Sequence, residues 1–139
     1  MGAVKVVIDT NVLISSLLFG GTPGKLIPLW QNRVIKPIAS KEIIDEYLRV
    51  LTYPKFQLEE AEIQFVLYLE ILPYFDIIDV PSKERIISGD PADDKFIHCA
   101  MAGNVEYIIS GDQHLLALKV HRKIKILSPS EFLFTVETN

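Results

Sequence analysis

A single cysteine stands in the 139 residues. That excludes a disulfide scaffold and a zinc module built on thiolates, and it fits a reducing compartment. Long apolar runs are missing too. The longest stretch free of charged residues, 10–24, contains Thr10, Asn11, Ser15, Ser16, Thr22, Pro23 and three glycines. It is too short and too polar to span a bilayer, so no membrane is expected as a partner. The N-terminus lacks a basic segment followed by an apolar one and a small-residue cleavage site, so no secretory signal is expected. Repeats, low-complexity tracts and linkers are also missing. An excess of positive charge is absent as well: 14 Lys and Arg stand against 18 Asp and Glu, a formal net charge of −4. Binders of phosphate backbones are usually basic, so the sign argues at first against nucleic acid. What is present is ordinary for a globular chain, 49% apolar and 23% charged, which excludes a disordered or fibrous protein. The expectation is one cytoplasmic domain over residues 1–139, long enough to bury a core.

Short β-branched runs alternate with longer helical ones. Val4-Lys5-Val6-Val7-Ile8 reads as a buried strand, followed by a helix over 10–18. A short helix over 23–32, weakened by Pro28, and a strand over 34–39 come next. Ser40 is a suitable N-cap for a helix reaching about Thr52, whose apolar stripe is Ile43, Ile44, Tyr47, Leu48 and Leu51. Further helices are expected over 58–72, 93–102, 113–118 and 129–133. Further strands are expected over 77–80, 105–109 and 124–127. Strands alternating with helices predict a three-layer α/β fold, a short parallel sheet of about four to five strands flanked by helices. Continuous apolar strands fit a sheet covered on both faces. In such sheets ligands bind outside the carboxyl ends of the strands.

Two aspartates fall there. The first strand runs into Asp9-Thr10-Asn11, and the strand over 105–109 runs into Ser110-Gly111-Asp112. Asp90, Asp93 and Asp94 open the helix that leads into that second strand. Taken singly, these acids read as helix caps or as favourable charge at helix N-termini. Taken together they are carboxylates converging on one sheet edge, where mutual repulsion would force some to protonate. A hard divalent cation such as Mg²⁺ or Mn²⁺ removes that conflict. Glu46 lies mid-helix with Ile43 and Val50 on the same side, and its periodicity fits a solvated face better than a site.

Four segments then carry a resemblance. They are Val6-Val7-Ile8-Asp9-Thr10-Asn11-Val12-Leu13, Ser40-Lys41-Glu42-Ile43-Ile44-Asp45-Glu46, Gly89-Asp90-Pro91-Ala92-Asp93-Asp94-Lys95-Phe96-Ile97 and Ser110-Gly111-Asp112-Gln113-His114-Leu115-Leu116. In this order, with the closing Ile126-Leu127-Ser128-Pro129-Ser130-Glu131-Phe132-Leu133, the chain resembles the PIN domain over nearly its whole length. It is most similar to the prokaryotic branch that supplies toxins of toxin–antitoxin systems. The resemblance implies a Mg²⁺- or Mn²⁺-dependent endoribonuclease with one or two ions. It implies an acidic site of Asp9, Glu46, Asp94 and Asp112, with Asp93 as a near neighbour. Thr10, Asn11 and Ser110 would orient the acids or the attacking water. It further implies an RNA substrate, products with a 5′-phosphate and a 3′-hydroxyl, a cognate antitoxin and a homodimer. Two departures stand out: Ser110 where many relatives have Thr, and Gln113-His114 where some carry another acid.

The chemistry accounts for the charge. Two divalent ions about 3.5–4 Å apart can hold the attacking and leaving oxygens of a phosphodiester in line. With Asp9, Glu46, Asp94 and Asp112 set aside, 14 acids face 14 bases, so −4 is compatible with RNA. Lys95, beside Asp94, is the leading candidate for phosphate contact. Lys25, Arg33 and the run Lys119, His121, Arg122, Lys123, Lys125 are others, and that run reads equally well as a solvated loop. Cys99 is expected in the core, and His98 and His114 at the surface or behind the acids. The helix over 58–72, with Phe65, Tyr68 and Leu72, offers an apolar face to a second subunit. A rival reading is an inactive PIN-like module that binds RNA or protein. A phosphatase of the haloacid-dehalogenase type needs an acid where Asn11 stands. A receiver domain needs paired acids and a lysine that this chain lacks, so both fit worse.

Overall fold

The computed structural model describes residues 2–81 and 91–137, so Asp90 lies outside the described residues. Strand β1 (Val4–Ile8) leads into helix α1 (Thr10–Leu18), followed by α2 (Gly21–Gly24) and α3 (Leu26–Gln31). Next come β2 (Ile35–Ser40) and α4 (Lys41–Leu51), then a 3-10 turn at Pro54–Phe56. Helix α5 (Glu60–Phe65) continues as a π-helix over Val66–Ile71 and is followed by β3 (Asp76–Ile78). A 3-10 turn, Pro91–Asp93, opens α6 (Asp94–Ala102). The chain ends with β4 (Tyr107–Ile109), α7 (Gln113–Leu118), β5 (Val120–His121), β6 (Ile124–Leu127) and α8 (Pro129–Glu137).

The strands form one sheet in the order β3-β2-β1-β4-β6-β5, parallel throughout except for the β5–β6 pair. The sheet thus has six strands where four to five were expected. The extra strand is β5, two residues that pair back on β6 through left-handed Arg122 and Lys123. The expected helix over 23–32 is split into two, and Pro28 sits within the first turn of α3, where its missing N–H has no partner to lose.

Val6, Val7 and Ile8 of β1 and Ile108 and Ile109 of β4 are fully buried, as continuous apolar strands between two helical layers must be. Each such side chain contributes about 1.5–3 kcal/mol of burial. Ser40 caps α4 by accepting the Ile43 N–H at 3.2 Å, and Ile43, Ile44, Tyr47 and Leu51 are the stripe that α4 buries. The Tyr47 hydroxyl donates to the Ile8 carbonyl at 2.5 Å, tying α4 to the end of β1. Gly103 lets the end of α6 lie close to the sheet, since a Cβ there would stand 3.0 Å from the Ile38 side chain.

Sequence order reverses at β1. The chain runs outward to β2 and β3 on one side, then returns to β4 on the other. Ile8 pairs with Ile109, so the two strands end level with each other. The crevice at such a switch point is where open α/β sheets place their ligands. Among the described residues, no single helix is long and apolar enough to cross a membrane.

Candidate metal centre

Asp9 leaves β1 and caps α1. Its Oδ1 accepts the Val12 N–H at 3.0 Å, and its Oδ2 accepts the Ser110 hydroxyl. The same Ser110 oxygen accepts the Asp112 N–H at 2.9 Å. One hydroxyl therefore links the acid that follows β1 to the acid that follows β4. Asp112 caps α7 through Oδ1, which accepts N–H groups of His114 at 2.8 Å and Leu115 at 3.2 Å. Capping and a functional role are thus compatible in these two residues.

Asp9 is only 5% exposed. Burial pushes its carboxyl above the ordinary value of 3.8, and the negative charge of Asp112 adds to that. Bonds from Ser110, Val12 and Gly111 work in the other direction without cancelling it. A buried carboxylate raised in this way favours a proton or a cation beside it.

Asp93, Asp112 and His114 each offer a ligand atom, and these atoms lie within 4.8 Å of one another. Asp93 comes from the 3-10 turn ahead of α6, and the other two from the start of α7. The His114 Nδ1 stands 3.7 Å from Asp112 Oδ1. Two carboxylates and an imidazole make a donor set suited to a divalent cation, and imidazole suits transition ions better than Mg²⁺. His114, expected at the surface or behind the acids, is exposed and stands beside Asp112. The signal for it was local: it lies two residues after Asp112, in the same helical turn. Asp94, the neighbour expected to take part, is buried at the first position of α6, and the three-residue grouping does not include it.

Glu46 approaches from α4 and is paired already. Its Oε2 accepts the Thr10 hydroxyl, and its Oε1 takes the Lys95 ammonium at 2.8 Å and the Arg49 guanidinium at 3.5 Å. Burial acts to raise its carboxyl, but the bonds from Lys95 and Thr10 and the charges of Lys95 and Arg49 outweigh it and bring the carboxyl below 4.5. Thr10 thus holds Glu46, while Asn11 is exposed on α1. Of the other cations, Arg122, Lys123 and Lys125 line a cavity of about 650 Å³ with Glu106 and Tyr107, at the amino ends of β4 and β6. The acids lie at the carboxyl ends, so that basic run is separated from them by the length of the strands. Cys99 is buried in the core, its thiol pushed up to about 12 by burial.

These features define an α/β protein with a candidate divalent-metal centre at the carboxyl edge of its sheet. The chain belongs to the PIN domain family, whose model matches residues 5–114. It is 32% identical over 142 residues to the uncharacterized protein MJ1680 of Methanocaldococcus jannaschii, covering 94% of this chain and 90% of that one. The crystal structure of PAE2754 from Pyrobaculum aerophilum is similar over 98% of this chain and 97% of that chain, with a TM-score of 0.61 and 14% identity. The PIN domain endonuclease Utp24 is similar over 89% of this chain and 84% of that chain, with a TM-score of 0.53 and 19% identity. PIN domains are typically metal-dependent nucleases that act on RNA.

Proposed function

We propose that this chain is an endoribonuclease that uses Mg²⁺ or Mn²⁺ to hydrolyse RNA phosphodiester bonds. The observation that carries the proposal is the approach of buried Asp9 to Asp112 at the switch point, beside Asp93 and His114. Asp93, Asp112 and His114 would hold the ion, with Asp9 and Asp94 completing its surroundings. A bound divalent ion lowers the pKa of its water and polarises a phosphoryl oxygen. The protein's own part is orientation: Ser110 fixes Asp9 against Asp112, and Thr10 fixes Glu46. Lys95 offers positive charge to the phosphate.

The test is cleavage of a labelled structured RNA with Mg²⁺, with Mn²⁺ and with EDTA, beside Asp9→Asn prepared identically. Metal-dependent cutting that is lost in the variant supports the reading. Equal cutting by both proteins indicates a contaminant. Neither cutting nor metal-dependent thermal stabilisation favours a non-catalytic RNA- or protein-binding module. The toxin role belongs to the same proposal, its observable being growth arrest on expression, relieved by Asp9→Asn or by a cognate antitoxin. Dimerisation belongs to it too. Phe65, Tyr68 and Leu69 are each more than half exposed on the α5–π segment, and Leu69→Glu should shift a dimer to monomer in light scattering.

A further inference from the structure

We propose that the Lys95 ammonium takes, at Glu46, the place of a second divalent cation, so that the site binds one metal ion per chain. This rests on the nuclease reading above and specifies its cation inventory.

The case begins with Glu46. Both of its oxygens are engaged by protein donors: Oε2 by Thr10, Oε1 by Lys95 at 2.8 Å and Arg49 at 3.5 Å. An ion that took Glu46 as a ligand would have to share the carboxylate with a lysine that is itself held. The Lys95 ammonium also donates to the Ala92 carbonyl at 2.7 Å and lies 5.3 Å from the centre of the Phe96 ring. Lys95 and Glu46 are only 15% and 16% exposed, so salt and water screen the pair less than a surface ion pair. The ordering entropy of the lysine is already spent in the folded state.

The grouping with metal-ligand geometry lies elsewhere. It consists of Asp93, Asp112 and His114 and does not include Glu46. The turn and helix that carry Asp93 also carry Lys95 two residues on. A second ion at Glu46 would meet this ammonium at their shared carboxylate, and like charges repel. One ion beside the aspartates and one lysine beside the glutamate give two cations without that conflict.

The arrangement also assigns the lysine a task. An ammonium has three N–H donors. Glu46 and Ala92 take two of them. Among the described residues no acceptor takes the third, which leaves it to a phosphate oxygen, for which lysine serves as a compact point charge. Lys95 thus becomes the fixed cation that a two-ion site would otherwise recruit from solution.

The test counts Mn²⁺ by equilibrium dialysis of the full chain, with free Mn²⁺ also followed by its paramagnetic resonance signal. The wild type should bind one ion. Lys95→Met should bind two, the second more weakly, and Lys95→Arg should bind one. Glu46→Gln should change the affinity by less than about threefold, because a lost ligand or its support would cost about 10–100-fold. Two ions on the wild type, or a loss of about 10-fold or more in Glu46→Gln, overturns the inference and leaves the nuclease reading standing. No ion on the wild type overturns the metal centre itself, and the inference with it. Thermal melts check that Lys95→Met is folded; if it is not, the Glu46→Gln affinity decides.

Discussion

Asp9 ends a central strand with its charge buried and another acid facing it, whereas Glu46 rides on a helix beside a lysine and an arginine. Both belong to the acidic site that we propose. Burial opposes the charge of each, and only at Glu46 do neighbouring donors win. The difference lies in the company each keeps: Glu46 has a lysine and an arginine beside it, whereas among the described residues the charge that acts on Asp9 is that of Asp112. Their linkage to folding has opposite signs. Folded Asp9 holds its proton more tightly than unfolded chain does, so the metal-free protein loses stability as pH rises from 3.8 through the raised value. Folded Glu46 releases its proton more readily, so its contribution is present above 4.5 and is lost as pH falls through the lowered value.

The largest effect should come from removing the Asp9 charge. Asp9→Asn should cut initial rates of RNA cleavage by on the order of 10²-fold or more. It should also make the metal-free protein more stable at neutral pH, by about 1 kcal/mol in urea unfolding, since a buried charge disappears. A less stable variant would break the contrast with Glu46. Next comes Ser110→Ala, which unties Asp9 from Asp112 and should weaken Mn²⁺ binding by about 10-fold in calorimetry. Tyr47→Phe removes the bond to Ile8 and should cost about 1–2 kcal/mol of unfolding free energy. The smallest effect is expected of Glu46→Gln, which should destabilise the metal-free protein by about 1 kcal/mol or less after allowance for solvent. That loss should fade in acid, where Glu46 of the wild type takes up its proton, whereas the gain in Asp9→Asn should fade below the raised value of Asp9. Parallel pH profiles for the two variants would contradict the opposite signs.

Much of this was legible in the sequence. Buried strands announce themselves as Val and Ile runs, and the cap Ser40 with its stripe marked α4 to within a residue. The sequence also led to Asp9 and Asp112, because both follow such strands directly. Other features were hidden for physical reasons. Glu46 looks like a surface residue by periodicity because its partners Thr10 and Lys95 stand 36 and 49 positions away. The π-helix was read as ordinary helix, since Val66 and Ile71, the pair it buries, are five apart and pass as two noisy points of a 3.6-residue period. Strand β5 is two residues long and owes its existence to β6 rather than to any pattern of its own. Asp93 and Asp94 are adjacent; the resemblance chose Asp94, whereas the grouping with Asp112 and His114 takes Asp93, and one residue at the entry to a helix is too fine a distinction for a motif to carry.

The bond from Tyr47 to Ile8 has a wider consequence. Each of its two residues is the chain neighbour of a carboxylate of the proposed site, Glu46 on one side and Asp9 on the other. The span between those acids is therefore braced from inside the hydrophobic core, by a strut that solvent does not reach. The strut is itself wedged: Tyr47 meets the Phe75 ring edge-on at 6.3 Å, and Phe75 meets Trp30 at 5.5 Å. Three aromatic rings from separate parts of the chain thus carry the distance between the two acids.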